Sequence, residues 1–244
     1  MDRRKFLRAG GIALTAPAFG CALQVPSTDE SAGSGHTSSG QRWGMVVDVP
    51  KCREGCTTCM DACRAENNLP EPEDRRLDVH YIRKVRITRK HTAGELETPL
   101  PLLCNHCDNP PCVQVCPVKA SFKREDGIVM CDAHRCIGCR YCLIACPYNA
   151  RFFSYTEGVE SPQNPDFPQR AHGVSQGCTF CSHLVDQGKL PACVTACEGI
   201  GARALIFGDL NDSDSEISRI MATNRAQGLR EDLGTEPKVY YLGL

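Results

Sequence analysis

Cysteine carries the chemistry that this sequence can do. Eighteen of its 244 residues are cysteine, and sixteen of them fall in four tight groups. Only Cys21 and Cys131 stand apart. Thiolates are soft metal ligands, and scattered structural thiols would not gather in fours. The most specific group reads Cys136-Ile-Gly-Cys139-Arg-Tyr-Cys142-Leu-Ile-Ala-Cys146-Pro147, spaced C-x2-C-x2-C-x3-C-P. Three thiolates on so tight a loop wrap three corners of one iron–sulfur cubane. The fourth, one helical turn further on, points away to a second cubane. An earlier group, Cys104, Cys107, Cys112 and Cys116-Pro117, has the same form with two residues inserted, and Asn109-Pro110-Pro111 lies in the widened gap. Exchange of fourth ligands then predicts one [4Fe–4S] cluster on Cys104, Cys107, Cys112 and Cys146. Its neighbour takes Cys116, Cys136, Cys139 and Cys142.

The two outer groups are Cys52, Cys56, Cys59 and Cys63, and Cys178, Cys181, Cys193 and Cys197. Neither ends in proline, but both end in the same C-x3-C step. The same reciprocal logic puts Cys52, Cys56 and Cys59 with Cys197. It puts Cys178, Cys181 and Cys193 with Cys63. Four [4Fe–4S] clusters result, and the three-residue gap between Cys52 and Cys56 makes the first the weakest fit. Zinc also accepts four thiolates, but its ribbons pair C-x2-C units and do not need three-plus-one groups. Neighbours in C-x2-C are poorly placed to form disulfides. Cys131 reads as a small buried hydrophobe and Cys21 as part of the N-terminal segment. His106 reads as a packing or hydrogen-bonding neighbour of the ligands.

Short elements must hold these loops. Gly44 to Val49 and Tyr81 to Lys90 read as strands, as do Ala150 to Tyr155 and Ala204 to Phe207. Asp126-Gly127 reads as a two-residue hairpin turn between the inner groups. Ser213-Asp-Ser-Glu216 has the form of a helix capping box, with a surface helix to about Arg225. The fold class expected is α+β, with two ferredoxin-like cluster-binding units, loop-rich insertions (21 Gly and 16 Pro) and a C-terminal extension. The apolar Val113, Val115, Ile137, Leu143 and Ile144 are expected to keep water from the clusters.

The chain opens Asp2-Arg3-Arg4-Lys5-Phe6-Leu7-Arg8, then runs weakly apolar from Ala9 to Leu23, broken by Pro17. This resembles a twin-arginine export signal. It predicts a periplasmic or extracytoplasmic protein, carried across already folded around its cofactors. The apolar run falls short of the roughly 20 residues that span a bilayer, so no transmembrane helix is expected in the mature chain. Cleavage after Ala16-Pro17-Ala18 and a lipid-type site at Cys21 both remain open. Net charge is −1, with 28 basic and 29 acidic residues, which lacks the basic excess of a nucleic-acid binder. No nucleophile–base pair or phosphate loop stands out. The boundaries expected are 1–26 for the signal, 27–42 for a flexible tether, 43–208 for the four-cluster domain (inner unit about 100–156) and 209–244 for the extension.

Four cysteine groups in this order resemble the four-cluster ferredoxin-like subunits of respiratory oxidoreductases, such as the polysulfide, dimethyl sulfoxide, nitrite and formate types. The resemblance covers roughly residues 43 to 208. Finer details are similar to the DsrO group, the exported iron–sulfur subunits of dissimilatory sulfite-reductase-linked membrane complexes. These are the run Cys104 to Cys112, Lys123 to Val129, Phe207 to Glu216 and the tail Leu233 to Tyr241. That resemblance implies an integral membrane quinone-interacting subunit and an exported multihaem cytochrome c as partners, in sulfur metabolism. It implies an electron relay with no substrate reaction of its own; the rival reading is a stand-alone reductase. Protein isolated without air should be brown, with iron and acid-labile sulfide. A colourless, iron-free but folded sample would overturn the reading.

Overall fold

The computed structural model describes residues 40–91, 94–156, 159, 162–169 and 171–244. The expected export signal, Cys21 and all but the end of the tether lie outside the described residues. In chain order the elements are β1 (Trp43–Asp48), α1 (Thr58–Glu66), β2 (Ile82–His91), β3 (Gly94–Leu103), α2 (Pro111–Gln114), β4 (Ser121–Lys123), β5 (Val129–Cys131) and α3 (Tyr141–Ala145). There follow β6 (Phe152–Phe153), β7 (Ser175–Gln176), α4 (Ser182–Val185), α5 (Ala192–Gly199), β8 (Leu205–Asp209), α6 (Glu216–Thr223), β9 (Gln227–Gly228) and β10 (Val239–Leu242).

Strand β1 is a continuous apolar run because both of its faces are covered. Met45, Val46 and Val47 are all fully buried, and each such side chain contributes about 1.5–3 kcal/mol. It pairs antiparallel with β8, from Trp43 opposite Asp209 to Val47 opposite Leu205. It pairs parallel with β10, from Met45 opposite Val239 to Asp48 opposite Leu242. The sheet order is β8-β1-β10-β9. Alternation along the strands splits their side chains between two sides. Met45, Val47, Leu205, Phe207, Val239 and Tyr241 join the large core that also contains cysteines of all four groups. Val46 and Ile206 turn the other way and pack on Ile217 of α6.

The fold is α+β with ferredoxin-like cluster units, and the expected strands are present within a residue or two. Three local details differ from expectation. The β4–β5 hairpin closes through five residues, Arg124 to Ile128, not two. Asp126 is buried and its carboxylate accepts the Ile128 N–H at 3.1 Å, which widens the turn, while Gly127 takes the left-handed φ of +84°. The cap of α6 is Ser215, whose hydroxyl accepts from the Ser218 N–H at 3.2 Å. Ser213 instead lies in a turn set by Asp212, whose carboxylate accepts from the Asp214 N–H.

The third difference concerns the segment after Asp209. It is woven into the cluster-binding unit and does not simply follow it. Strand β10 is an interior strand of the sheet. Just before it, the backbone N–H groups of Asp108 and Asn109 donate to the carbonyls of Glu236 and Thr235, and the Lys238 N–H donates to Asn105. The tail therefore braces the Cys104–Cys112 loop along its length. Lys238 is fully buried and bonds the Asp108 carboxylate at 3.0 Å and the Gly127 carbonyl at 2.6 Å. A Cβ at Gly127 would lie 2.1 Å from that ammonium, so the bare turn makes room for it. Without Lys238 the Gly127 carbonyl loses its buried donor, while Asp108 keeps Arg42 and Lys123. Lys238→Met should therefore lower stability by about 2 kcal/mol. Arg42→Met should cost under about 1 kcal/mol, because Arg42 meets Asp108 from a part-exposed position. Anaerobic denaturant unfolding distinguishes the two.

Candidate iron–sulfur sites

Helical spacing puts Cys59 and Cys63 on one face of α1, and Cys193 and Cys197 on one face of α5. The two helices pack against each other. In the same way α2, carrying Cys112, packs on α3, carrying Cys142. These two contacts bring the four distant groups together. Cys52, Cys56, Cys59 and Cys197 line one cavity, with Lys84 and Leu205. Cys104, Cys107, Cys112 and Cys146 line a second, with Val129, Tyr148 and Arg151. Cys116, Cys136, Cys139 and Cys142 line a third, with Cys131 and Ser175. The space at each, counted together with the solvent at its mouth, is about 310 Å³. The remaining four also meet. The Asn67 amide lies 3.7 Å from the Cys63 sulfur and 4.0 Å from that of Cys181. Cys178 and Cys193, fully enclosed, both feel the charges of Cys63 and Cys181.

The sulfurs ring a space and do not meet at a point. Among the described residues, no three His, Cys, Asp or Glu side chains converge as a single metal ion requires. Four thiols around an equal-sized cavity suit a multi-iron cubane, with one thiolate per iron. Burial pushes the Cys104 thiol up to about 12 and those of Cys59 and Cys107 up to about 11. Such thiols keep their protons until a metal displaces them. Backbone amides meet the sulfurs. Ala120 and Ser121 donate to Cys116 at 3.2 and 3.4 Å, Ala150 to Cys146 at 3.5 Å, and Ala204 to Cys197 at 3.3 Å. Phe180 donates to Cys178 and Ser175 to Cys136, both at 3.4 Å. The Cys116 thiol lies below its ordinary value: desolvation opposes this, and the nearby N–H groups outweigh it.

The quartets form a line. Helices α1 and α5 pack together where the first two meet, the Phe180 ring stacks on His106 where the second meets the third, and α2 packs on α3 where the third meets the fourth. His106 stands between the second and third quartets of this line, stacked on Phe180 with ring centroids 3.7 Å apart. Its Nδ1 accepts the Val129 N–H at 3.0 Å. Burial holds the ring well below the usual histidine range, so it is neutral and serves as packing. Two expectations change. Ile144 is 84% exposed and Val115 is exposed too, so they do not shield the clusters, whereas Ile137, 65% exposed, still lines the cavity of Cys136 and Cys139. The short helices turn only one side inward, and Val113 and Leu143 do the covering. Cys131 is half-buried at a cavity wall and sits outside the apolar core. Sequence reading missed Lys84, Asn67 and Arg151, because none has a motif of its own.

Residues 98–210 match the family described as a 4Fe-4S dicluster domain. The chain is 42% identical, along its whole length and 98% of the relative, to the Hdr-like menaquinol oxidoreductase iron-sulfur subunit 1 of Archaeoglobus fulgidus. It is 38% identical, over 82% of this chain and 88% of the relative, to the menaquinone reductase iron-sulfur cluster-binding subunit of Nitratidesulfovibrio vulgaris. It is 36% identical, over 98% of this chain and 94% of the relative, to the protein NrfC of Escherichia coli. The chain belongs to the family of iron–sulfur subunits of respiratory oxidoreductases. It binds several [4Fe–4S] clusters and carries electrons in respiration. No described helix is long and apolar enough to cross a membrane. If fourth ligands are exchanged, Cys146→Ser should damage the cluster on Cys104, Cys107 and Cys112 and spare the one on Cys136, Cys139 and Cys142. Cys131→Ala should leave the iron count unchanged. Iron analysis and EPR of the reduced variants check both.

Proposed function

We propose that this chain is the exported electron relay of a sulfur-metabolising respiratory complex, of the DsrO type. It would carry single electrons between an integral membrane quinone-interacting subunit and an exported multihaem cytochrome c. The observation that supports this best is the unbroken line of four thiol quartets. In it, Cys52, Cys56, Cys59 and Cys197 hold the first cluster, and Cys63, Cys178, Cys181 and Cys193 the second. Cys104, Cys107, Cys112 and Cys146 hold the third, and Cys116, Cys136, Cys139 and Cys142 the fourth. A [4Fe–4S] cluster supplies one-electron redox chemistry when bound.

The chain's own residues do the rest. Thiolates fix each position, and shared helices keep neighbouring positions close. Backbone N–H groups of Ala120, Ala150, Phe180 and Ala204 spread negative charge away from sulfur. Phe180, Val129 and Leu205 are buried and exclude water. All sixteen grouped cysteines are committed as ligands in this reading, so no iron is left open for a substrate. That argues for a relay over a stand-alone reductase.

The fourth quartet lies at the surface. Cys139 is exposed, and around it Ile137, Tyr141, Ile144 and Val118 present an apolar face. Exposed apolar residues gathered at one place suit a permanent partner, and the membrane subunit is the partner proposed for this face. The names of two relatives, a menaquinol oxidoreductase and a menaquinone reductase subunit, support the quinone side. Arg3-Arg4-Lys5-Phe6-Leu7 supports export by the twin-arginine route. A reductive EPR titration of the anaerobic protein should resolve four clusters, and fewer than four would sink the assignment. In cells, Ile144→Glu should release the chain from the membrane fraction without loss of iron. Replacing Arg3 and Arg4 by lysine should keep it in the cytoplasm.

A further inference from the structure

Arg151 is a cation buried without an acid. The residue is 5% exposed. Among the described residues its guanidinium has no Asp or Glu partner, and its Nε is enclosed with no hydrogen-bond acceptor. Its one hydrogen bond among them runs from Nη2 to the Cys112 sulfur at 3.6 Å. Arginine keeps its proton under any ordinary condition. A guanidinium taken out of water costs several kcal/mol unless an opposite charge answers it. The groups arranged around this one are thiols: Cys112 and Cys104 in one cavity, and Cys131 at the wall of the next.

The position is built, not accidental. Ala150, just before Arg151, donates its N–H to the Cys146 sulfur. Gly177 packs on the side chain from the other side. A Cβ there would lie 2.9 Å from the Ala150 carbonyl oxygen and 3.6 Å from the Arg151 Cδ. The arginine is therefore clamped between the fourth ligand's loop and a bare glycine, with its charged end on the cavity lined by Cys104, Cys107, Cys112 and Cys146.

We propose that Arg151 is the fixed counter-charge of that cavity, and that it makes this position take up an electron more readily. The inference rests on the quartet assignment above. Adding one electron adds one negative charge with no proton to balance it. A positive charge held against a ligand sulfur in a dry, low-dielectric site favours the reduced state. Arg151 is in these terms a positioning residue, acting on the cluster through charge and through its bond to Cys112.

The test is a redox titration, followed by EPR, of the full anaerobic protein and two variants. The signal of interest is the one that Cys146→Ser removes. Arg151→Gln keeps hydrogen-bond donors and loses the charge. Its cluster should become harder to reduce, with the ratio of reduced to oxidised cluster at the wild-type midpoint falling about tenfold, or 59 mV for one electron. Arg151→Lys, which keeps the charge, should restore most of that shift. The other midpoints should move less. An unchanged midpoint in an Arg151→Gln protein with full iron content overturns the inference. Should that variant lose iron, the wild type decides. Protein labelled with ¹⁵N in its arginine side chains should show guanidinium nitrogen coupling to the reduced cluster in pulsed EPR, and no coupling overturns it. Wild-type protein lacking that signal altogether would instead overturn the quartet assignment.

Discussion

A thiolate removed from water needs something nearby to answer its charge. Sixteen of them are gathered here, and all but the exposed Cys139 are buried or half-buried. Much of the architecture follows from that demand. Helices α1 and α5 are short, and their cysteines recur at the four-residue spacing that turns both toward one side. The residues after Cys116, Cys146 and Cys197 fold back so that backbone N–H groups of Ala120, Ala150 and Ala204 point at sulfur. Where amides do not suffice, cations come close. Lys84 lines the first cavity and Arg151 the third in the line. Folding and metal loading are coupled for the same reason. Without iron, burial would keep thiols such as Cys59, Cys104 and Cys107 protonated and leave a row of cavities unfilled.

The central sheet supplies what the cysteine loops lack, a conventional apolar core. Strand β1 opens the described structure, and β10 lies near its end, yet the two are direct neighbours in register. On the side facing the clusters, Met45, Val47, Phe207 and Tyr241 pack into the same core as the cysteines. On the other, α6 covers Val46 and Ile206. An aromatic path runs from Trp43 through Phe207 and Phe180 to His106, with ring centroids 5.2 Å apart at each of the first two contacts. It ties the sheet to the loops of two different quartets. Buried Lys238 does the same with charge, linking the tail to the Cys104–Cys112 loop and to the β4–β5 turn.

Function follows from how close the quartets lie. Helix α1 carries Cys59 and Cys63, helix α5 carries Cys193 and Cys197, and the two helices pack together, which holds the first two quartets side by side. The line has two ends of different character. The first cavity is bordered by Lys84 and sits beneath the sheet residue Leu205. The last opens at exposed Cys139 among apolar residues. An electron relay needs accessible ends and a protected middle, and the exposure of Cys139 beside the burial of Cys104, Cys178 and Cys193 has that form.

The grouping of the cysteines by itself determined the cofactor class and the α+β fold. Three of the sulfur quartets it predicted each line a shared cavity. This was possible because cubane ligation is a local geometric requirement, written as fixed spacings around Cys136 to Cys146 and repeated with variations elsewhere. The strands were legible because apolar runs such as Met45 to Val47 have no other economical use. Only the tertiary structure decided which apolar residues face inward. Ile144 and Leu143 are adjacent and chemically alike, yet a short helix exposes one and covers the other. It alone decided that the tail is a sheet strand, since parallel pairing of residues as distant in the chain as Met45 and Val239 leaves no local signal. It alone placed Arg151 against sulfur, because an arginine's charge is visible in a sequence but its distance from a distant cysteine is not.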